Sequence, residues 1–500
     1  LKGESYGSQD ISAGLAALRG GSMGLFGILL GLGLLMWFAY RGWSVLLLAP
    51  AAALIVAAAS GQPLLPHWTS TFMGGTARFV TQWFPMFLLG GIFGKMMDDS
   101  GSITSIARFL TERLGVKRTM LSVVLASAVV TYGGVSVFVA FFVLVPMARE
   151  MFRAANIPAR LMPAAIGLGA FTFTMSAMPG TPSTNNAIPM PYFGTTTFAA
   201  PGLGIIASII TFAFGMWWLA HIEARARAAN EGYTEDETPV VISEKVREQA
   251  TTSGDFDPSE LTHGKKSDQG PSFLFAVLPL IVVIGVNFLM ALVVLPQIDF
   301  SSAEAALGIN ITSTVGVWAV LIALAAAIVT VIGLNYGRLG ALRESLDAGA
   351  NSAVLPIMTV ASLVGFGAVV AAMPAFNVVR DAVLQMPGGP LVSLVVAMNA
   401  LAALTGTASG GMAIALNALG AEYMKLAAEH GIDPALMHRL TTISAGTLDA
   451  LPHNGTVLLL LQISKQTHSG SYLDMVMTVI VGVIISLVAV FVLGSMFGSF

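Results

Sequence analysis

The chain has 500 residues, of which 55% are hydrophobic and only 10% charged, with a mean hydropathy of +0.79. That composition excludes a soluble globular domain, and the lack of cysteine excludes disulfides, iron–sulfur ligation and thiol catalysis. The formal net charge of −3 carries no information about nucleic-acid or acidic partners, because in a membrane protein it is the placement of the cations that informs.

Residues 1–22 are polar and Gly/Ser-rich, the pattern of a tag remnant or an N-terminal extension, and they stay outside the fold reading. From Met23 onward, apolar stretches long enough to cross a bilayer recur at 23–40, 43–60, 79–97, 161–178, 203–222, 272–295, 314–334, 351–373, 437–462 and 474–498. Two further stretches, 119–148 and 390–420, are too long for one span and too short for two, and each is interrupted by glycines at its centre. They predict re-entrant helical hairpins with tips at Gly133-Gly134 and at Gly406 to Gly411; a single tilted helix with a glycine kink is the alternative. Residues 223–270, rich in Glu, Asp, Lys, Ser and Thr, read as a solvated cytoplasmic linker.

Cation placement separates the two readings of 119–148. Lys117 and Arg118 precede it, and Arg149, Arg153 and Arg160 follow it, so the positive-inside rule puts both ends in the cytoplasm and requires re-entry. With that assignment every Lys and Arg falls on the cytoplasmic side except Lys2, Arg19, Arg78, Arg380, Lys425 and Arg439. Lys95, Asp98 and Asp99 are then expected at a solvated cytoplasmic helix end. The second hairpin enters from the opposite face, as an inverted repeat requires.

The letters carry the same repeat. Asn156-Ile157-Pro158-Ala159-Arg160-Leu161-Met162 precedes a span that breaks at Pro179-Gly180-Thr181, and Gly431-Ile432-Asp433-Pro434-Ala435-Leu436-Met437 precedes one that breaks at His453-Asn454-Gly455-Thr456. Met162 and Met437, like Gly180 and Gly455, lie 275 residues apart. The predicted fold is an all-α polytopic membrane protein of two inverted-topology repeats, with about 10 full spans, two re-entrant hairpins and two broken helices. The first repeat is 23–222, with its hairpin at 119–148 and broken helix at 161–190. The second is 271–500, with its hairpin at 390–420 and broken helix at 437–462.

Interrupted helices persist in hydrocarbon only where they are buried or line a cavity, so the four breaks are the candidate site. They contribute Gly133, Gly134 and Ser136; Thr181, Ser183, Thr184 and Asn185; Thr407, Ser409 and Gly410; and His453, Asn454 and Thr456. Glycine admits close approach, while hydroxyls, amides and free N–H groups at half-helix starts favour a carboxylate over a cation. Tight helix packing is the alternative for any one break, and 181–186 also reads as an ordinary periplasmic loop. Asp449 and His453, four residues apart within one span, are the candidates for proton coupling. The competing roles are a substrate hydrogen bond for His453 and a helix cap for Asp449. Backbone carbonyls at the same breaks would also suit a sodium ion. No metal-ligand cluster, nucleophile elbow, Walker loop or dinucleotide fingerprint is present, so neither an enzyme nor an ATP-driven pump is expected, and no cofactor beyond a coupling ion.

Tyr40-Arg41-Gly42-Trp43-Ser44-Val45-Leu46-Leu47-Leu48-Ala49-Pro50, the hairpin TYGGVSVFVAFFVLVPMA, the break MPGTPSTNNAIP and Asp449-Ala450-Leu451-Pro452-His453-Asn454-Gly455 resemble the gluconate permease (gluconate:proton symporter) family of the ion-transporter superfamily. The resemblance runs from about Met23 to Phe500 outside the linker. It implies proton symport of gluconate or short hydroxy acids such as 3-hydroxybutyrate into a bacterial cell across its inner membrane. It further implies an elevator motion in a homodimer, with the bilayer and a small carboxylate as the other partners and no nucleic acid. Around the first tip Val135, Val137, Phe138, Val139, Phe141 and Phe142 offer no partners for a polyhydroxylated chain, which favours a short acid over gluconate; Thr407 and Ser409 of the second hairpin are the features that would reverse this.

Overall fold

A computed structural model of the chain describes residues 23–39, 41, 43–234, 266–267, 269–307, 314–452 and 454–500. The expectations for 1–22, for His453 and for most of the 223–270 linker lie outside the described residues. Every element among the described residues is helical. In an apolar solvent a helix satisfies its backbone internally, and the hydroxyls do likewise. Ser127, Thr131, Thr172 and Ser176 each donate to the carbonyl four residues back.

Among the described residues, five helices are long and apolar enough to cross a membrane: Pro201–Ala228, Phe273–Gln297, Val315–Asn335, Leu342–Ala371 and His468–Phe497. A sixth candidate, Ser102–Leu114 with Val116–Tyr132, is bent by 104°. The ten or so spans expected from hydropathy are thus a mixture. Met23–Ala39 and Val45–Ala59 are shorter apolar helices, and the segments at 161–178 and 437–462 are interrupted. The helix Met73–Asp99 is longer than its apolar stretch and ends in charge.

The two glycine-centred stretches fold back on themselves. Thr119–Tyr132 and Val137–Ala154 are separated by Gly133 to Ser136, with Gly134 at φ +92°. Both arms pack on Ser102–Leu114, and the Thr111 hydroxyl near its end reaches Met151 Sδ at 3.3 Å. In the second stretch, Gly389–Thr405 and Ala408–His430 turn at Gly406, φ +69°. Ser393 and Tyr423 hydroxyls meet at 3.0 Å, 30 residues apart in sequence, so these arms are antiparallel. They touch through Gly411, where an added Cβ would sit 2.4 Å from Ala402 N.

The segments 275 residues apart share a backbone device. Asn156 (φ +51°) and Gly431 (φ +64°) both end a helix in the left-handed conformation. The following amides, Ile157 N to Phe152 O at 2.9 Å and Ile432 N to Ala427 O at 2.8 Å, close the same six-residue ring. Gly180 and Gly455 do not correspond in the same way, since only Gly180 has positive φ, at +82°. The predicted linker is shorter than 223–270. The helix Pro201–Ala228 continues through 223–228, and Lys266 and Ser267 bond to the end of Met73–Asp99.

Two outcomes follow for stability. Gly411→Ala forces backbone apart and is expected to cost about 1–3 kcal/mol, whereas Gly285→Ala, with nothing within 4 Å of the new Cβ, is neutral to stabilising by about 0.4–1 kcal/mol. Thermal unfolding of the two purified variants in detergent checks this. Separately, Arg160 grips the Glu231 carboxylate at 2.7 and 3.0 Å, and this hydrogen bonding holds the Glu231 pKa below its ordinary value. A depressed carboxyl pKa adds stability above its unfolded value and loses it as pH falls through the folded one. The deficit in Tm of Glu231→Gln relative to the parent is therefore expected to be greatest near neutrality and to close on acidification.

Candidate functional site

Each hairpin tip is tied to a broken helix. At the first, Tyr132 donates its hydroxyl proton to Pro179 O at 2.8 Å. Gly134 lies so close to Pro182 that a Cβ there would meet the ring at 2.6 Å. The helix after Met162–Ala170 stops at Phe171, resumes for Phe173–Ser176, and then unwinds to a short turn, Thr184–Ala187, whose cap Ser183 accepts from Asn186 N at 3.3 Å.

The second tip is held more tightly. Pro434–Thr447 stops short of Gly455–Ile463, and the intervening Asp449 accepts from Ala408 N at 2.8 Å, the first amide of Ala408–His430. Asn454 caps the next half-helix by accepting from Thr456 N at 2.7 Å and Val457 N at 3.3 Å. Its amide donates to Gly406 O at 2.8 Å and to Asp449 Oδ1 at 3.0 Å. Asp449 and Asn454 thus join two chain interruptions into one polar unit.

All four breaks line one cavity of about 230 Å³. Of the residues expected there, Gly134, Ser136, Ser183, Thr184, Asn185, Thr407, Ser409, Asp449, Asn454 and Thr456 line it. Three do not. Gly133 is turned toward Leu280, Gly410 toward Leu363, and Thr181 is wholly buried behind the wall. The segment 181–186 is no surface loop, since Thr181, Ser183, Asn185 and Asn186 are all buried. The apolar wall comes from Val135, Val137, Phe138 and Val139, whereas Phe141 packs instead against Phe171.

The expectation that Lys95, Asp98 and Asp99 are solvated is overturned. All three are buried, and Lys95 and Asp98 line the cavity. Lys95 Nζ donates to Asp99 Oδ1 at 2.9 Å, Ser345 Oγ to Asp99 Oδ2 at 2.6 Å, and Lys266 Nζ to Asp98 Oδ1 at 2.7 Å. The cause is close packing of Leu342–Ser352 on Met73–Asp99: a Cβ on Gly91 would lie 2.5 Å from Gly349 O. Hydropathy sees only a charged helix end and cannot see the helix that covers it.

A second group escaped the sequence reading. Arg439 and His438 are fully buried behind the first broken helix. Asn186 amide nitrogen donates to Thr181 O and Thr197 O, which leaves its oxygen to accept from His438 Nε2 at 3.2 Å and Arg439 Nη1 at 3.3 Å. The available signal was that His438 and Arg439 fall at Pro163 and Ala164 in the 275-residue register, an ionic pair of letters with no counterpart.

A helical bundle of apolar spans, broken where polar groups converge on a cavity, defines an integral membrane transporter. The chain is 40% identical over 468 residues to the uncharacterized transporter YxjC of Bacillus subtilis, covering 90% of this chain and 95% of that relative, and it belongs to the same transporter family. An uncharacterized transporter of Haemophilus influenzae is 30% identical over 178 residues, 35% of this chain and 40% of its own. The fold is similar to the crystal structure of the Alcanivorax borkumensis YdaH transporter, with a TM-score of 0.51 at 14% identity over 87% of this chain and 89% of that one. No protein-family model matches the chain.

The capping role of Asn454 is directly testable. Asn454→Ala removes two accepted bonds and the tie to Gly406 O, and is expected to lower stability by about 1–2 kcal/mol, read as a fall in Tm of the purified protein.

Proposed function

We propose that the chain is a secondary active transporter that carries small hydroxycarboxylates such as 3-hydroxybutyrate or gluconate into the cell with protons. It does so through two inverted repeats and an elevator-type motion in a homodimer of the bacterial inner membrane. The observation that carries this reading is the bond from Ala408 N to Asp449 at the start of a 23-residue helix, on the wall of the cavity where all four breaks meet. A half-helix start is an anion site, and here the Asp449 carboxyl already occupies it. Two carboxylates sharing one low-dielectric site cannot both stay ionised. A proton on Asp449 removes that conflict, frees the amide and admits the substrate carboxylate, so proton and anion travel together.

His453, four residues on, is assigned to the same proton path. The repeated helix ends at Asn156 and Gly431 support the inverted repeat, and an inverted repeat supports alternating access rather than a fixed pore. The side chains of Val135, Val137, Phe138 and Val139 favour a short acid, whereas the hydroxyls of Ser136, Thr407 and Ser409 on the same cavity leave room for a hydroxylated chain such as gluconate.

Proteoliposomes test this reading. An inside-alkaline pH gradient is expected to drive radiolabelled 3-hydroxybutyrate above equilibrium, with gluconate slower. Accumulation driven by sodium instead would replace proton coupling, and equilibration without accumulation under either gradient would mean a facilitator. Asp449→Asn is expected to abolish proton-driven accumulation while sparing substrate exchange, and His453→Ala to impair the former more than the latter. Loss of binding in both variants would move these residues from coupling to the substrate site.

A further inference from the structure

Among the described residues, Arg439 is a charge without a counter-ion. Its side chain is fully buried, and all of its hydrogen bonds end on neutral acceptors. Nε and Nη2 donate to Ala199 O at 3.1 and 2.6 Å, Nη2 also to Thr197 O at 3.4 Å, and Nη1 to Ser176 O at 3.1 Å and Asn186 Oδ1 at 3.3 Å. No described carboxylate pairs with it. Guanidinium does not give up its proton in proteins, and a buried unpaired ion is among the most costly things a membrane interior can hold.

The neighbouring polar groups do not compensate it. His438 donates through Nε2 to an Asn186 oxygen that has no proton to give, and its Nδ1 meets the Thr195 hydroxyl at 2.6 Å, an arrangement a neutral imidazole satisfies. The Tyr132 hydroxyl is engaged with Pro179 O. Yet the charge is next to the cavity: Asn186, which Arg439 grips, directly follows the wall residues Ser183, Thr184 and Asn185, while Arg439 itself stays out of the lining.

We propose that Arg439, unlike the Asp99-paired Lys95 on the wall, is a fixed cation left uncompensated that makes this cavity an anion site, acting through the field behind the 183–186 turn rather than by contact. The inference rests on the carboxylate reading above and deepens it: the site selects the ionised acid over its neutral isostere. For two unit charges taken as ~10 Å apart at an effective dielectric of about 20, the interaction is worth on the order of tenfold in affinity. The competing role is a purely mechanical one, in which the guanidinium fork staples the carbonyls of residues 176, 197 and 199.

Substitutions separate charge from fork. Arg439→Lys keeps the charge and loses the fork; Arg439→Gln loses both. Asn186→Asp adds a carboxylate against Arg439, while Asn186→Leu removes the same amide donors without adding charge. Equilibrium binding of 3-hydroxybutyrate and of its neutral primary amide is measured on each purified full-length protein, with thermal unfolding alongside. The expected result is that the parent and Arg439→Lys prefer the anion, that Arg439→Gln loses that preference by about tenfold, and that Asn186→Asp loses it relative to Asn186→Leu. Where Arg439→Gln does not fold, the Asn186 pair decides alone. If anion and amide weaken in parallel in every variant, or Asn186→Asp and Asn186→Leu match, Arg439 is only a staple and the proposal is overturned while the transport reading stands. If the parent binds the amide as well as the acid, or binds neither, the anion reading itself fails and takes this proposal with it.

Discussion

A helix broken inside an apolar solvent leaves amides and carbonyls that water cannot reach, and each of them must find a partner. The organisation of this protein follows from how four such breaks are satisfied. At the second tip the partners are side chains: Asp449 receives the Ala408 amide, and Asn454 both caps its own half-helix and donates to Gly406 O. At the first, Tyr132 supplies Pro179 O, and Asn186 and Asn287 supply the carbonyls of Thr181, Thr197 and Gly180. Because each tip is bonded to a broken helix from elsewhere in the chain, satisfying the backbone also brings the four breaks to one cavity.

Glycine sets how closely these parts approach. Gly134 against Pro182, Gly411 against Ala402 and Gly91 against Gly349 are contacts that a Cβ would push apart. The last of them draws Leu342–Ser352 over the charged end of Met73–Asp99 and buries Lys95, Asp98 and Asp99. A helix end that the linear pattern reads as solvated becomes part of the cavity wall, with the charges paired and bonded as burial requires.

The cavity is lined by apolar side chains, among them Val135, Val137, Phe138 and Val139 of the first hairpin, and has a polar side that includes Ser183, Thr184, Asn185, Thr407, Ser409 and Asn454, with Ser136, Lys95 and Asp98 also on its wall. Behind the polar side lies Arg439, whose bonds run to neutral oxygens.

The sequence by itself determined the solvent, the class and the places where helices stop. Composition demanded a bilayer, and Gly134 and Gly406 marked turns because glycine takes positive φ without strain next to apolar helices. The Pro/Gly/Asn clusters at 179–186 and 452–455 marked the interruptions. Residue letters say where a chain breaks because backbone conformation is a local property. Tertiary structure alone decided which breaks meet, which members of each cluster face the cavity, and which charges are buried. Gly133, Gly410 and Thr181 share their neighbours' chemistry but point at Leu280, Leu363 and the protein interior. Burial and direction depend on partners tens to hundreds of residues away, as Tyr132 with Pro179, Asn186 with Arg439 and Asp99 with Ser345 illustrate.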